Sequence, residues 1–305
     1  MPRRRVRARR DRALRLLING VPLGAGGALT GLIGYVTALR ACDPTLEITI
    51  LASREETIRA ARELDTFVIP VAQRGGLARQ YLWQKLRVPD LATRLKSDVL
   101  LTTNFAVPGS PIPQVVHHQN LFTMRMPGIS SITHMRGWKR WIQNVDTRHA
   151  LRVADANVFV SDHLRRAAER ICPTTRARNF VVYNGLSDRA IADAINGPPA
   201  WQRTPRICAV QSPFTHKNTS TLLAVFAKLL RARPDVDWSL AIAGGGNWSR
   251  YRREAQQLNI ISRIQWLGHL DEPKLIELFR GSLCLIFTSA FESFGNPPIE
   301  AMAQA

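Results

Sequence analysis

The chain has 305 residues, 45% hydrophobic and 21% charged, a balance that belongs to a globular protein and excludes a disordered or fibrous one. Its 42 basic residues against 23 acidic ones leave a net charge of +19, which favours anionic partners (nucleotide diphosphates, anionic lipid surfaces, nucleic acid) without choosing among them. The four cysteines are scattered, with no C-x-x-C pair, and no H-E-x-x-H, EF-hand or Walker sequence occurs. That argues against a structural zinc, leaves metal catalysis unsupported and suits a reduced, cytoplasmic protein.

Eight arginines against one aspartate crowd residues 1–15, so a basic arm is expected over 1–13. Pro22 and the glycines at 24, 26, 27 and 31 interrupt the apolar stretch that follows, which argues against an export leader. No apolar run approaches the ~18 residues needed to span a bilayer. Strand and helix patterns then alternate, as in a parallel α/β protein. A strand over 14–19, a glycine loop and a helix over 28–40 come first. Strands at 47–51 and 66–71 enclose a charged helix, and 75–96 reads as helical with an interruption at Pro89. Short strands at 99–102 and 114–117 precede a long amphipathic helix over 134–153. A strand at 157–160, a helix at 162–171 and a strand at 180–183 complete an N-terminal domain over 14–187. Gly197-Pro198-Pro199 and Pro205 mark a hinge over 188–205. A second series begins at 206: strand 206–211, helix 217–232, strand 238–243, the turn Gly244-Gly245-Gly246, helix 249–258, strand 263–267, helix 272–280 and a buried strand at 283–287.

The segment after that last strand, Phe291-Glu292-Ser293-Phe294-Gly295-Asn296-Pro297-Pro298-Ile299-Glu300, sets two glutamates eight positions apart around a glycine turn and a proline pair. Prolines suit a first helical turn, where a missing N–H costs little, and a helix start exposes unpaired amides at its positive end. The pattern therefore reads as an anion site, with Glu300 in the first turn able to accept hydrogen bonds from sugar hydroxyls. Upstream, Lys217 opens a helix after the strand ending near Val210, where its ammonium can offset phosphate charge. Gly24-Ala25-Gly26-Gly27 leaves amides unencumbered but fails the dinucleotide fingerprint, because Leu29 stands where its third glycine would fall. His117-His118-Gln119-Asn120 puts polar groups at the end of a strand, with the two histidines on opposite faces. Trp138-Lys139-Arg140-Trp141 is either a lipid-facing patch or an ordinary amphipathic face.

The Glu292…Glu300 segment closely resembles the E-x7-E signature of retaining, GT4-like (group 1) glycosyltransferases of the GT-B fold. The resemblance implies two Rossmann-like domains facing a cleft, and transfer of a sugar from a nucleotide-diphosphate sugar with retention of configuration and no metal or other cofactor. It implies Glu300 on the donor's ribose and the amides of Phe294, Gly295 and Asn296 at the donor. It further implies Ser212 and Lys217 at the donor, Glu292 at the donor sugar or its loop, Gly26 and Gly27 at donor phosphate or acceptor, and His117 or His118 near the transferred sugar as a sugar-hydroxyl or acceptor contact. Many relatives carry Gly-Arg ahead of this lysine where Gln211-Ser212 stands here, so one diphosphate cation is missing. Relatives usually continue well past the second glutamate, so 206–305 is expected to be an incomplete second domain. The implied partners are a glycan or lipid-linked acceptor and, through the basic surface, an anionic membrane at its cytoplasmic face. A catalytically inactive relative and a basic nucleic-acid-binding protein are the alternative readings.

Overall fold

A computed structural model describes residues 12–23, 27–72, 77–124, 137–173, 178–195 and 203–304. The chain divides into two units, one of Met1–Asn120 with Gln143–Val182, the other of Leu121–Ile142 with Tyr183–Ala305.

The first unit is a seven-stranded parallel sheet in the order β3-β2-β1-β4-β5-β6-β7. Its strands are β1 (Arg15–Asn19), β2 (Glu47–Ala52), β3 (Phe67–Pro70), β4 (Val99–Thr103), β5 (Gln114–His118), β6 (Ala156–Phe159) and β7 (Arg178–Val181). Helices α1 (Gly27–Cys42), α2 (Glu55–Glu63), α3 (Leu77–Arg94), α4 (Gly137–Val153) and α5 (Asp162–Ile171) lie between them in sequence. The two-residue alternation of β1 sorts its side chains to opposite faces. Leu16 and Ile18 join Ile48, Ile50, Leu32 and Val36 in one core layer. Leu17 joins Leu51, Leu100, Val88 and Ala92 in the other. Covered faces on both sides are why these strands read as near-continuous apolar runs. The order reverses between β1 and β4, so loops at the carboxyl ends of these strands diverge and leave a crevice.

The second unit holds a four-stranded parallel sheet in the order β10-β9-β8-β11, from β8 (Thr204–Val210), β9 (Ser239–Ala243), β10 (Ile264–Gly268) and β11 (Ser282–Leu285). Helices α6 (Asp188–Ile195), α7 (Thr219–Ala232), α8 (Ser249–Gln257), α9 (Glu272–Gly281) and α10 (Asn296–Ala303) accompany it. Leu222, Leu223 and Phe226 of α7 pack with Ile207, Leu240, Ile242, Tyr251 and Ala255 on one face. Leu278 and Phe279 of α9 cover Cys208, Ala241 and Ala243 on the other. Here the reversal lies between β8 and β11.

Three expectations change. Pro89 sits inside α3 without ending it; buried Val88 and Ala92 tie this helix to the sheet through the proline turn. The stretch expected as a hinge carries α6, and the Ala190 carbonyl accepts a 2.8 Å bond from the Gln304 side chain. The strand before the glutamate segment is not buried. Among the described residues β11 pairs with β8 alone, and Leu283 is 47% exposed.

Candidate active site

In the second unit the loops after β8 and β11, the two strands flanking the reversal, carry the predicted donor-binding residues other than Gly26 and Gly27. After β8, Gln211 is buried; its amide nitrogen donates to the Ala243 carbonyl at 2.9 Å and its side chain to Thr219 Oγ1 at 3.0 Å. It is thus a packing residue where the family pattern has a glycine. The half-buried Ser212 accepts from the Phe214 amide at 2.8 Å. A 3-10 turn over Thr215–Lys217 follows, and Asn218 takes a left-handed conformation (φ 55°) that redirects the chain into α7. Asparagine tolerates that region better than most residues.

This turn presents Lys217, and the loop after β11 comes to meet it. Lys217 Nζ lies 2.5 Å from Glu292 Oε1, with the two side chains 18% and 25% exposed. Sequence spacing gave no warning of this contact across 75 residues. Three further bonds fasten the two loops: Thr288 Oγ1 to the Lys217 carbonyl at 2.9 Å, the Ala290 amide to the His216 carbonyl at 2.8 Å, and Ser289 Oγ to that same carbonyl at 3.4 Å. None of Thr288, Ser289 or Ala290 was singled out from the sequence, since their contribution depends on the partner loop.

Gly295 precedes α10 with φ +96°, a region that favours glycine. Pro297 and Pro298 fill the first turn and bring no N–H, so the orphan donors of this helix start are concentrated at its entry. Among the described residues nothing accepts a hydrogen bond from the amides of Phe294, Gly295 or Asn296. The Asn296 side chain accepts from Asn184 at 3.0 Å, Ser293 Oγ accepts from the Leu121 amide at 2.9 Å, and the Phe294 ring lies 6.0 Å from that of Tyr183. Glu300, in the first turn and a half of α10, has its pKa raised, chiefly by burial and secondarily by the Glu272 carboxylate. Among the described residues no side chain or amide donates to it. The result is one cation, three open amides and a desolvated carboxylate at one end of one sheet, a set that fits a phosphate and a hydroxyl-bearing ring.

The first unit treats its two histidines differently from expectation. Both faces of β5 are covered, so alternation sends each ring into a core layer. His118 is fully buried, 3.0 Å from Asn157 Oδ1 and stacked 4.9 Å from Phe159, and its Nδ1 has no partner. His117 is 3% exposed, with Nε2 2.5 Å from the Tyr35 hydroxyl and Nδ1 2.8 Å from Gln119 Nε2. Burial holds the His117 pKa down to about 3 and the His118 pKa down to about 4, and pushes the Tyr35 phenol up to about 12. All three are neutral near pH 7. The cavity beside His117 measures about 10 Å³, the threshold for a single water and far too small for a sugar. Both histidines are thus interior groups as placed, where the sequence reading put one of them at a sugar. Asn104 and Tyr35 escaped the sequence reading, which did include Gln119 in its polar stretch. Asn104 (φ 62°) donates to the His117 carbonyl and accepts from the Gln119 and Asn120 amides. An asparagine directly after a strand was the available signal. Gly27 opens α1, and Gly26 lies outside the described residues. Among the described residues no three His, Cys, Asp or Glu side chains are grouped to hold a metal, and no helix is long and apolar enough to cross a membrane.

Residues 192–305, which hold both loops of this site, match the family model "Glycosyl transferases group 1". The C-terminal segment is thus similar to the group 1 glycosyl transferases. The chain is also 29% identical over 168 residues to the serotype-specific mannosyltransferase WbdA of Escherichia coli, covering 53% of this chain and 18% of that protein. It thus spans less than a fifth of this curated relative. Among solved structures, a glycosyltransferase from Rickettsia africae aligns over 96% of this chain and 77% of its own, at 15% identity and a TM-score of 0.67. HepE from Anabaena, solved with UDP and glucose, aligns over 95% and 78%, at 16% identity and a TM-score of 0.67. These likenesses establish the GT-B fold. The group 1 segment and the glutamate loop coincide in this chain, and Lys217 lies within the same match.

Proposed function

We propose that the protein transfers a sugar from a nucleotide-diphosphate sugar to a hydroxyl acceptor, with retention of configuration and without a bound metal. The observation that carries this reading is the meeting of Lys217 and Glu292 beside the open amides of the α10 start. As the bond between the anomeric carbon and the diphosphate oxygen breaks, negative charge builds on that oxygen; Lys217 and the amides of Phe294, Gly295 and Asn296 stabilise it. Glu300 accepts hydrogen bonds from the ribose, and Glu292 positions donor-sugar hydroxyls while steadying Lys217. The bond then formed joins the anomeric carbon to the acceptor oxygen, whose proton leaves with the displaced diphosphate or solvent. The two glutamates are not a glycosidase's acid and base, because both belong to the donor's side of the reaction.

The lack of an arginine beside Lys217 is met by the amide cluster, which carries no charge to be neutralised when the donor is absent. A glycan or lipid-linked acceptor and a position at the cytoplasmic face of an anionic membrane suit the net charge of +19 and the exposed Trp141 (66%). Likeness to WbdA and to HepE supports a hexose donor.

Calorimetric titration of the whole chain with UDP, GDP and their hexose conjugates tests this reading, beside Glu300→Ala. One nucleotide is expected to bind, and the variant to lose it by about tenfold or more, as for a lost hydrogen bond to a charged group. Silence from every nucleotide in a folded protein supports the inactive-relative reading instead.

A further inference from the structure

The second unit has a surface cleft that the donor site does not use. It encloses about 310 Å³ between the loop after β8 and the start of α8, and is lined by Pro213, Thr215, Asn247, Ser249, Arg250, Tyr251 and Arg253, with the Arg250 guanidinium 5.5 Å from the Tyr251 ring. That volume is at the lower end of small-molecule sites, roughly 300–1,000 Å³. No carboxylate lines it, and Lys217 is not among its walls.

The charge there is unbalanced in an unusual way. The first turn of α8 contains arginines and no acidic residue, although cations oppose the helix dipole at that end. Among the described residues neither Arg250 nor Arg253 makes an ion pair. Glu254, placed at i+4 to neutralise Arg250, instead accepts a 2.8 Å bond from Ser220 Oγ. The walls are held from behind. Trp248 is buried, and its Nε1 donates to the Gly244 carbonyl at 2.9 Å. Opposite, Gly246 (φ +134°) lets the Pro213 ring come so close that a Cβ would lie 2.6 Å from it. A rigid cleft with two guanidinium groups and a hydroxyl- and amide-bearing rim, and no acid, is complementary to a compact oxyanion.

We propose that this cleft binds a phosphate monoester or diester group, carried by a soluble sugar phosphate or by an anionic lipid headgroup. The proposal does not depend on the donor-site reading, and its test separates the two. Inorganic phosphate and glucose 1-phosphate are titrated into the full chain at about 0.15 M salt, where exposed long-range attraction is screened. The double variant Arg250→Gln/Arg253→Gln and, separately, Lys217→Gln are treated alike, with circular dichroism reporting the fold. Binding is expected to weaken at least about tenfold in the double variant and to persist in Lys217→Gln. In parallel, co-sedimentation with phosphatidylglycerol and phosphatidylcholine vesicles is compared for parent and double variant. Loss specific to phosphatidylglycerol assigns the headgroup, and loss confined to the soluble phosphates assigns the sugar phosphate. Equal behaviour of parent and double variant in both arms, or loss only in Lys217→Gln, overturns the site.

Discussion

Lys217 and Glu292 form a partly buried pair whose ammonium is already engaged when no diphosphate is present. On the proposed reading, a diphosphate must therefore share or displace that carboxylate. Glu292→Gln is expected to bind UDP more tightly, by about tenfold (roughly 1.4 kcal/mol), while sugar transfer falls. Titration and initial-rate assays check both directions, and a parallel fall in UDP affinity would show Glu292 acting mainly as the scaffold for Lys217. Loss of Lys217 itself, as Lys217→Gln, removes the proposed charge-stabilising group and is expected to lower kcat by about 100-fold or more. The buried histidines predict a pH effect on stability. Their folded pKa values, about 3 and about 4, lie below the ordinary 6.5, so the unfolded chain takes up protons first as pH falls. Stability from these groups is full above 6.5 and is lost as pH drops from there toward the folded values. The thermal midpoint is expected to fall across that window in the parent, and to fall less steeply in His118→Asn, as scanning fluorimetry at a series of pH values would show.

At the level of elements, the entry to α10 concentrates the proposed donor contacts, and most of its local form was legible. Gly295, the proline pair and the glutamate spacing are local features, and local sterics give them the same meaning in any tertiary setting. Gly295→Val is expected to destabilise the second unit by about 1–2 kcal/mol, since a β-branched residue resists positive φ. It should also weaken nucleotide binding through the displaced amides. Denaturant unfolding and calorimetry measure the two effects, and binding left intact would mean that the amides are not donor contacts. The α/β alternation was legible for the same reason, whereas β11 was misread. Its apolar run, Leu283-Cys284-Leu285, resembles that of a central strand, but neighbours in the sheet decide burial and β11 has only one among the described residues. Pro89 misled in the opposite sense: a proline signals a break, but the packing of Val88 and Ala92 carries α3 past it.

For the whole molecule, the two units have separate hydrophobic cores, one built on β1, β2 and α1 and the other on β8, β9 and α7. Separate cores predict two calorimetric transitions rather than one. A nucleotide bound to the loops after β8 and β11 stabilises only the second unit, by about 2.7 kcal/mol at a hundred times its dissociation constant. Scanning calorimetry with and without UDP should therefore move one transition and leave the other. Movement of both by the same amount would show that the units unfold together.

The amino-acid sequence by itself determined the parallel α/β class, the two-part organisation, the glutamate loop with its glycine and prolines, and the candidacy of Lys217. Each rests on periodicity or on backbone restrictions that act within a few residues. Tertiary structure alone decided that Lys217 meets Glu292, that Thr288 and Ala290 fasten the loops together, and that His117 and His118 are interior groups. It also decided that α8 presents two arginines to a cleft with no acid. These facts depend on which strands are neighbours, where the strand order reverses and which faces are covered, and contacts between residues dozens of positions apart leave no trace in local pattern.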